Sequence, residues 1–268
     1  MLKKLFKYDF EATCRIFLVL HGIIALLTVL GKILFTLVPE GLGNAPLLSV
    51  LVPTYILLII GLFVGFRIYL IVRFYRSLFT DEGYLHHTLP VKPWQLIASK
   101  LLVNVLLSLL GILVLILCGL VLLAGDPMEA ILANKAEITE MIRMAFGLSP
   151  MGLGLFILIY APIMECYSYL MYFASIALGQ LLIPKHKVLG AFAAYMLYYV
   201  ILQAITSIPV FAFTFSSIQY VGTDVDMFNW VTGFYSFIYF FSIGLAIFVG
   251  IVFFLITNFI MKKKLNLD

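Results

Sequence analysis

The chain has 268 residues, of which 64% are hydrophobic and 11% charged, with a net charge of +4. Soluble domains are about 45–50% apolar and about 25% charged, so this composition excludes a soluble fold and specifies an integral membrane protein. No polar stretch exceeds about thirty residues and no GxxxxGK[ST] phosphate loop occurs, which leaves no place for a nucleotide-binding domain.

A helix needs about 20 apolar residues to cross the hydrocarbon core of a bilayer. Six runs meet that length, at 16–38, 47–71, 101–124, 151–183, 188–215 and 231–261. None alternates with the period of two that a membrane β-strand requires. The expected fold is therefore all-α, a six-helix membrane bundle forming a single transmembrane domain over residues 1–268.

Lysine and arginine concentrate on the inner side of membrane proteins. With the N-terminus inside, fourteen of them (Lys3, Lys4, Lys7, Arg15, Arg67, Arg73, Arg76, Lys92, Lys100, Lys185, Lys187, Lys262, Lys263 and Lys264) fall on the cytoplasmic side, against Lys32, Lys135 and Arg143 outside. The expected location is the cell membrane, with both termini cytoplasmic. The positive charge is then a topology signal and calls for no nucleic acid. The run Lys262-Lys263-Lys264 reads as an anchor to anionic lipid.

In chain order, residues 2–15 pattern as an amphipathic helix lying on the inner leaflet, with Leu2, Leu5 and Phe6 on one face. In the first span, His21 reads as a hydrogen-bonded packing residue and Lys32 as a side chain that snorkels outward. Residues 39–46, PEGLGNAP, form an outer turn, and Pro53 falls in the first turns of the second span. That span continues past the membrane as a helix carrying Arg67, Arg73 and Arg76. Thr80 is the expected N-cap of a next helix with Asp81 and Glu82 in its first turn. Pro90 ends that helix, and Pro93 suits the first position of another. Trp94 is placed as an interfacial aromatic, and Lys100 marks re-entry into the membrane.

Further on, Asp126-Pro127-Met128-Glu129 has the form of a helix start. Residues 126–146 then read as one amphipathic helix on the outer surface, either a lid over an exit path or a helix resting on lipid. Glu165, in YAPIMECYSYL, is the one acidic residue deep in a span. A carboxylate there must face protein or a water-filled cavity. Glu165, with Tyr167 beside it, is either a substrate-path or gating residue or a structural hydrogen-bonding one. Asp224 and Asp226 lack the spacing of a calcium loop, and His86-His87 has no third ligand, so no metal site is expected. No HExxH, GxSxG or paired span carboxylates occur, so no catalytic residue is expected and the chain is not read as an enzyme. Cys14, Cys118 and Cys166 fall inside the cell or in the membrane and form no disulfide framework.

The segment 73–102, RFYRSLFTDEGYLHHTLPVKPWQLIASKLL, resembles the cytoplasmic loop of the ABC-2-type permeases, the membrane subunits of ATP-binding-cassette exporters common in Gram-positive bacteria. The matching features are the acidic-Gly-Tyr-Leu cluster Asp81, Glu82, Gly83, Tyr84 and Leu85, the turn Thr88-Leu89-Pro90-Val91, then Gln95-Leu96 and Ser99-Lys100-Leu101-Leu102. Where that family often has a serine and a basic residue after the turn, this chain has Lys92-Pro93. The six-span layout with the N-terminus inside and the amphipathic N-terminal helix are also similar to that family, over essentially the whole chain.

The resemblance implies that the loop at 73–100, between the second and third spans, is a coupling helix seated in a separate ABC ATPase subunit. Asp81, Glu82, Gly83, Tyr84, Leu85 and His86 would make the contact. It implies that ATP and Mg are bound by that partner and not by this chain. It also implies that two permeases pair as a homodimer or heterodimer surrounded by membrane lipid. The cargo would be an antimicrobial peptide, a drug or a lipid. The alternatives are a non-transporting membrane scaffold or sensor, and an ion-coupled secondary transporter using Glu165.

Overall fold

The computed structural model describes residues 1–37, 45–80, 83, 91–219 and 227–263. The chain is all-α, with eight α-helices and no strand among the described residues. They are α1 (Leu2–Leu37), α2 (Ala45–Phe79), α3 (Pro93–Leu123), α4 (Asp126–Ala133), α5 (Lys135–Phe146), α6 (Pro150–Leu182), α7 (Lys187–Gln219) and α8 (Met227–Lys263). A 3-10 turn, Pro184–His186, joins α6 to α7. Six helices, α1, α2, α3, α6, α7 and α8, are long and apolar enough to cross a membrane. Packing divides the chain into two compact units, Met1–Leu132 and the chain from Ala133 onward.

In the first unit, α1 packs along α3, and α2 joins both. The face of α1 turned inward carries Thr13, Phe17, His21, Ile24 and Thr28, all buried and spaced by three or four residues. The matching face of α3 carries Ser99, Lys100, Val103, Asn104, Leu107, Ser108 and Gly111. Lipid offers no hydrophobic drive for helix association, so close packing and interhelical hydrogen bonds must hold such a pair. Gly111 is one source of that closeness, since a Cβ there would lie 2.7 Å from His21 Nε2. His21 Nδ1 bonds the Phe17 carbonyl at 3.0 Å, and its ring stacks on Phe17 and meets Phe66 of α2 edge-on. The packing role read from the sequence is the one His21 fills.

Lys32 does more than reach outward. Its Nζ donates to the carbonyls of Leu122, at 3.1 Å, and Ala124. The last carbonyls of a helix have no partner within it and carry the negative end of its dipole, so Lys32 closes the end of α3. Hydroxyls in the spans bond back to their own helix: Thr13 to the Asp9 carbonyl, Thr28 to Ile24, Ser175 to Met171 and Thr257 to Phe253. This satisfies them where water is absent.

In the second unit, α6 is central and packs against both α7 and α8. Ser149 caps it, its hydroxyl accepting from the Gly152 amide at 3.1 Å, with Pro150 in the first helical position. At the far end α6 and α7 touch backbone to backbone. A Cβ on Gly179 would lie 2.2 Å from the Ala191 nitrogen, and one on Gly190 would lie 2.4 Å from the Gly179 oxygen. Farther along, α7 and α8 separate around an apolar groove of about 870 Å³ lined by residues such as Pro209, Phe213, Phe234 and Phe241.

Two expectations are corrected. Residues 1–15 are not a separate interfacial helix, because α1 runs unbroken from Leu2 to Leu37. Nothing between Arg15 and Ile16 breaks it, since the segment lacks proline, the first glycine is Gly22, and Lys7 and Glu11 form an i, i+4 pair at 3.7 Å. At about 1.5 Å per residue it spans about 54 Å, well beyond the hydrocarbon core of about 30 Å. The second concerns 126–146, which is two helices broken at Asn134, with no buried residue in either. The first begins at Asp126 itself, where the Gly125 carbonyl accepts from Met128 and Glu129. Gly147, with φ of 68°, closes the second by donating to the Arg143 carbonyl.

Candidate functional site

The loop that the sequence singles out emerges from two rigid stems, the end of α2 and the start of α3. Asp81, Glu82, Tyr84, Leu85 and His86 lie outside the described residues, as do His87 and the Thr88-Leu89-Pro90 turn, and, of the turn expected at 39–46, residues 39–44. Gly83 is described and is buried. Its amide donates to the Thr80 carbonyl at 2.7 Å, and a Cβ on it would come 2.6 Å from the Leu78 oxygen. Only glycine fits that approach without a shift of the α2 backbone.

The stems are finished by side chains. The hydroxyl of Thr80 donates back to the Arg76 carbonyl, closing α2, and the following helix that it was expected to cap lies, apart from Gly83, outside the described residues. Helix α3 begins at Pro93, as expected. The Lys92 amide donates to Gln95 Oε1 at 3.1 Å, and the Gln95 amide returns to the Lys92 carbonyl at 2.9 Å. Gln95 thus supplies one half of a capping box where the residue before Pro93 is lysine.

Both stems are tied to the third turn of α1, at Asp9 and Ala12. Arg73 Nη1, on α2, donates to the Ala12 carbonyl at 3.2 Å and to the Tyr69 hydroxyl at 2.9 Å. On α3, Lys100 Nζ donates to Asp9 Oδ1 at 3.0 Å and Ser99 Oγ to Asp9 Oδ2 at 2.7 Å. Both carboxylate oxygens of Asp9 are thereby used. Lys100 is 6% exposed, so it is an internal ion-pair partner and not merely an interfacial marker. Asp9, Thr13, Arg73, Lys100 and Asn104 surround a cavity of about 10 Å³. Asn104 Nδ2 is buried beside it without a protein partner. That is the size and polarity of a site for one water.

Sequence reasoning named Ser99, Lys100 and Arg73 but missed Asp9. The signal was present: Asp9, Thr13, Phe17 and His21 recur at intervals of four, a helix stripe that passes straight through the boundary drawn at residue 15.

The second pair of expected residues lies in the second unit. Glu165 is 8% exposed and sits on the face of α6 that also carries buried Tyr169 and Leu170. Tyr167 faces two grooves. One, of about 390 Å³, is apolar and runs along α8 past Ala246, Gly250 and Phe254. The other, of about 230 Å³, lies between α6 and α7 and carries Tyr172, Tyr195, Tyr199 and Gln203. Among the described residues no group of three His, Cys, Asp or Glu side chains comes together. Cys14, Cys118 and Cys166 are free thiols.

This arrangement can transmit displacement, since a load on the loop reaches α1 through charged and hydrogen-bonded contacts on both stems. It can also admit a ligand beside Tyr167. No family model, curated protein or solved structure matches this chain.

Proposed function

We propose that this chain is the membrane-spanning permease subunit of an ATP-driven ABC exporter, located in the cell membrane with both termini cytoplasmic. A separate ABC ATPase subunit, holding ATP and Mg, would seat the loop at 73–100. The chain would act as a homodimer or beside a second permease, and its cargo would be an antimicrobial peptide, a drug or a lipid. The observation that carries the reading is the bracing of both loop stems by α1, through Arg73 to Ala12 and through Asp9 to Ser99 and Lys100. A loop that only reversed the chain would need no such tie.

In this reading the ATPase pushes on Asp81, Glu82, Tyr84, Leu85 and His86. Gly83 packs the loop against the end of α2, and the continuous helix from Ala45 to Phe79 carries the displacement toward the membrane. The Asp9 contacts make α1 and α3 follow, so three spans move as a rigid group. The stripe of small and polar residues on α1 and α3 keeps that group together in lipid.

The test is purification from native membranes in mild detergent, followed by identification of what accompanies the chain and an assay of ATP hydrolysis. We expect an ATPase subunit to co-purify with the wild type and to be lost from a Glu82→Arg/Tyr84→Ala variant that still folds. Full transport by that variant sinks the coupling role of the loop.

A further inference from the structure

The groove between α6 and α7 is unusual for a surface in the middle of a span. Its walls carry Tyr167 and Tyr172 from α6, and Tyr195, Tyr199, Gln203 and Thr206 from α7. These are not interfacial aromatics. Counting from Lys187 at the start of α7, Tyr199 lies about 18 Å along the helix and Gln203 about 24 Å, inside a hydrocarbon core of about 30 Å. Tyr199 is 50% exposed and Gln203 is also exposed. An amide and phenol hydroxyls opened to lipid tails lose their hydrogen bonds at a cost, so polar groups at this depth normally face protein, water or a ligand.

The chemistry of the walls says which ligand. The Tyr172 and Tyr195 rings stack at 5.5 Å, and the Tyr195 and Tyr199 rings continue the row at 6.4 Å and nearly parallel. Along α6, Ser168 and Tyr172 line the groove, while Glu165, three residues before Ser168, is buried outside that lining. Neither helix carries a lysine or arginine beyond Lys187 at the first position of α7, and Glu165 is their one acidic residue. Aromatic faces present negative charge and attract cations, best when these are weakly hydrated. An anion would meet no positive group. A strongly hydrated ammonium would lose its water for a site with few acceptors.

We propose that the α6–α7 groove, built from Tyr167, Tyr172, Tyr195, Tyr199 and Gln203, is a binding site for lipophilic organic cations. The site names a substrate class for the transport reading and rests on that reading only for the movement of cargo after binding. Its volume of about 230 Å³ suits one or two ring-sized groups of such a molecule, with the remainder in the adjoining lipid. Binding entails no covalent step.

The test uses the purified full chain in nanodiscs of neutral lipid, without any ATPase, so that loss of the exporter reading leaves the result intact. The probes are tetraphenylphosphonium and its anionic counterpart of like shape, tetraphenylborate. We expect saturable binding of the phosphonium that the borate does not displace. Tyr195→Phe/Tyr199→Phe keeps the rings and should hold the affinity within about twofold, while Tyr195→Leu/Tyr199→Leu should weaken it about tenfold or more. If the double leucine variant fails to fold, Tyr199→Leu alone, at a half-exposed position, should weaken binding by about threefold or more. Displacement by the borate, or unchanged affinity in a folded leucine variant, overturns the proposal. So does efficient disulfide cross-linking between two copies of a Gln203→Cys variant in membranes, because the groove would then be covered by a second chain.

Discussion

The two units hold their helices together by different means. In the first, α1 and α3 are joined by side chains. Asp9 takes Ser99 and Lys100 near the start of α3, Lys32 takes the last carbonyls near its end, and His21 fits against Gly111 between them. In the second, α6 and α7 meet at bare backbone, Gly179 against Gly190 and Ala191, and then separate around tyrosines. A seam of polar side chains fixes register, because each donor meets its acceptors at a set height along the pair. A glycine crossing fixes only the closest point and leaves the helices to diverge beyond it. The first unit is built as a strut and the second as a pair of helices that open around a groove.

That contrast can be broken by substitution. The largest effect is expected at the glycine crossing. Gly179→Val places carbon atoms where the Ala191 backbone stands, and no side-chain rotation relieves it. We expect a loss above about 4 kcal/mol, seen as failure to recover folded protein from membranes. Recovery of a Gly179→Val protein with unchanged thermal stability would show that the crossing is not a close one.

Next comes the Asp9 cluster. Lys100→Met leaves a largely buried carboxylate without its cation and should cost about 3 kcal/mol in detergent unfolding. Asp9→Leu/Lys100→Met removes both charges and should lose less than either single change. A double variant whose loss equals the sum of the singles would mean that the charges are not paired with each other. Because the pair braces the loop stems, Lys100→Met should also depress any ATPase activity that depends on the loop by more than Gly111→Ala does.

Gly111→Ala sets a methyl against a side chain rather than against backbone, so His21 can give. We expect about 1–2 kcal/mol of destabilisation, largely absent in a His21→Ala background. Full additivity of the two changes would show that Gly111 and His21 are not in contact. The smallest effect is at Lys32. Lys32→Met removes the donor at the end of α3 and should cost about 0.5–1 kcal/mol. A change in hydrogen exchange confined to the last turn of α3 would mark it as a cap, whereas exchange altered throughout α3 would argue against that.

Much of the fold is legible in the sequence. Six spans come from run length, and the start of α3 comes from Pro93. The extension of α2 past the membrane comes from a pattern without breakers up to Phe79. His21 is legible because one histidine in an apolar stripe has few other roles. The Asp9 brace is hidden for an identifiable reason. Amphipathicity judged from Leu2, Leu5 and Phe6 suits a membrane surface, and it draws the eye from the polar stripe that starts at Asp9 and continues into the span. The split of 126–146 at Asn134 is hidden because its apolar residues keep helical spacing through the break.

The sequence by itself determined what is local or additive: membrane residence, the number of spans, the helix starts set by proline, and the excess of basic residues at one set of loops. Tertiary structure decided the pairings. No spacing rule says that Asp9 meets Lys100 ninety-one residues later, that Lys32 ends α3, or that Gly179 meets Gly190 across a turn with no side chain between them. Those contacts depend on which faces of two helices are brought together and how closely. In lipid, where apolar surface is equally content on every side, that choice rests on a few small and polar residues whose partners lie far away in the chain.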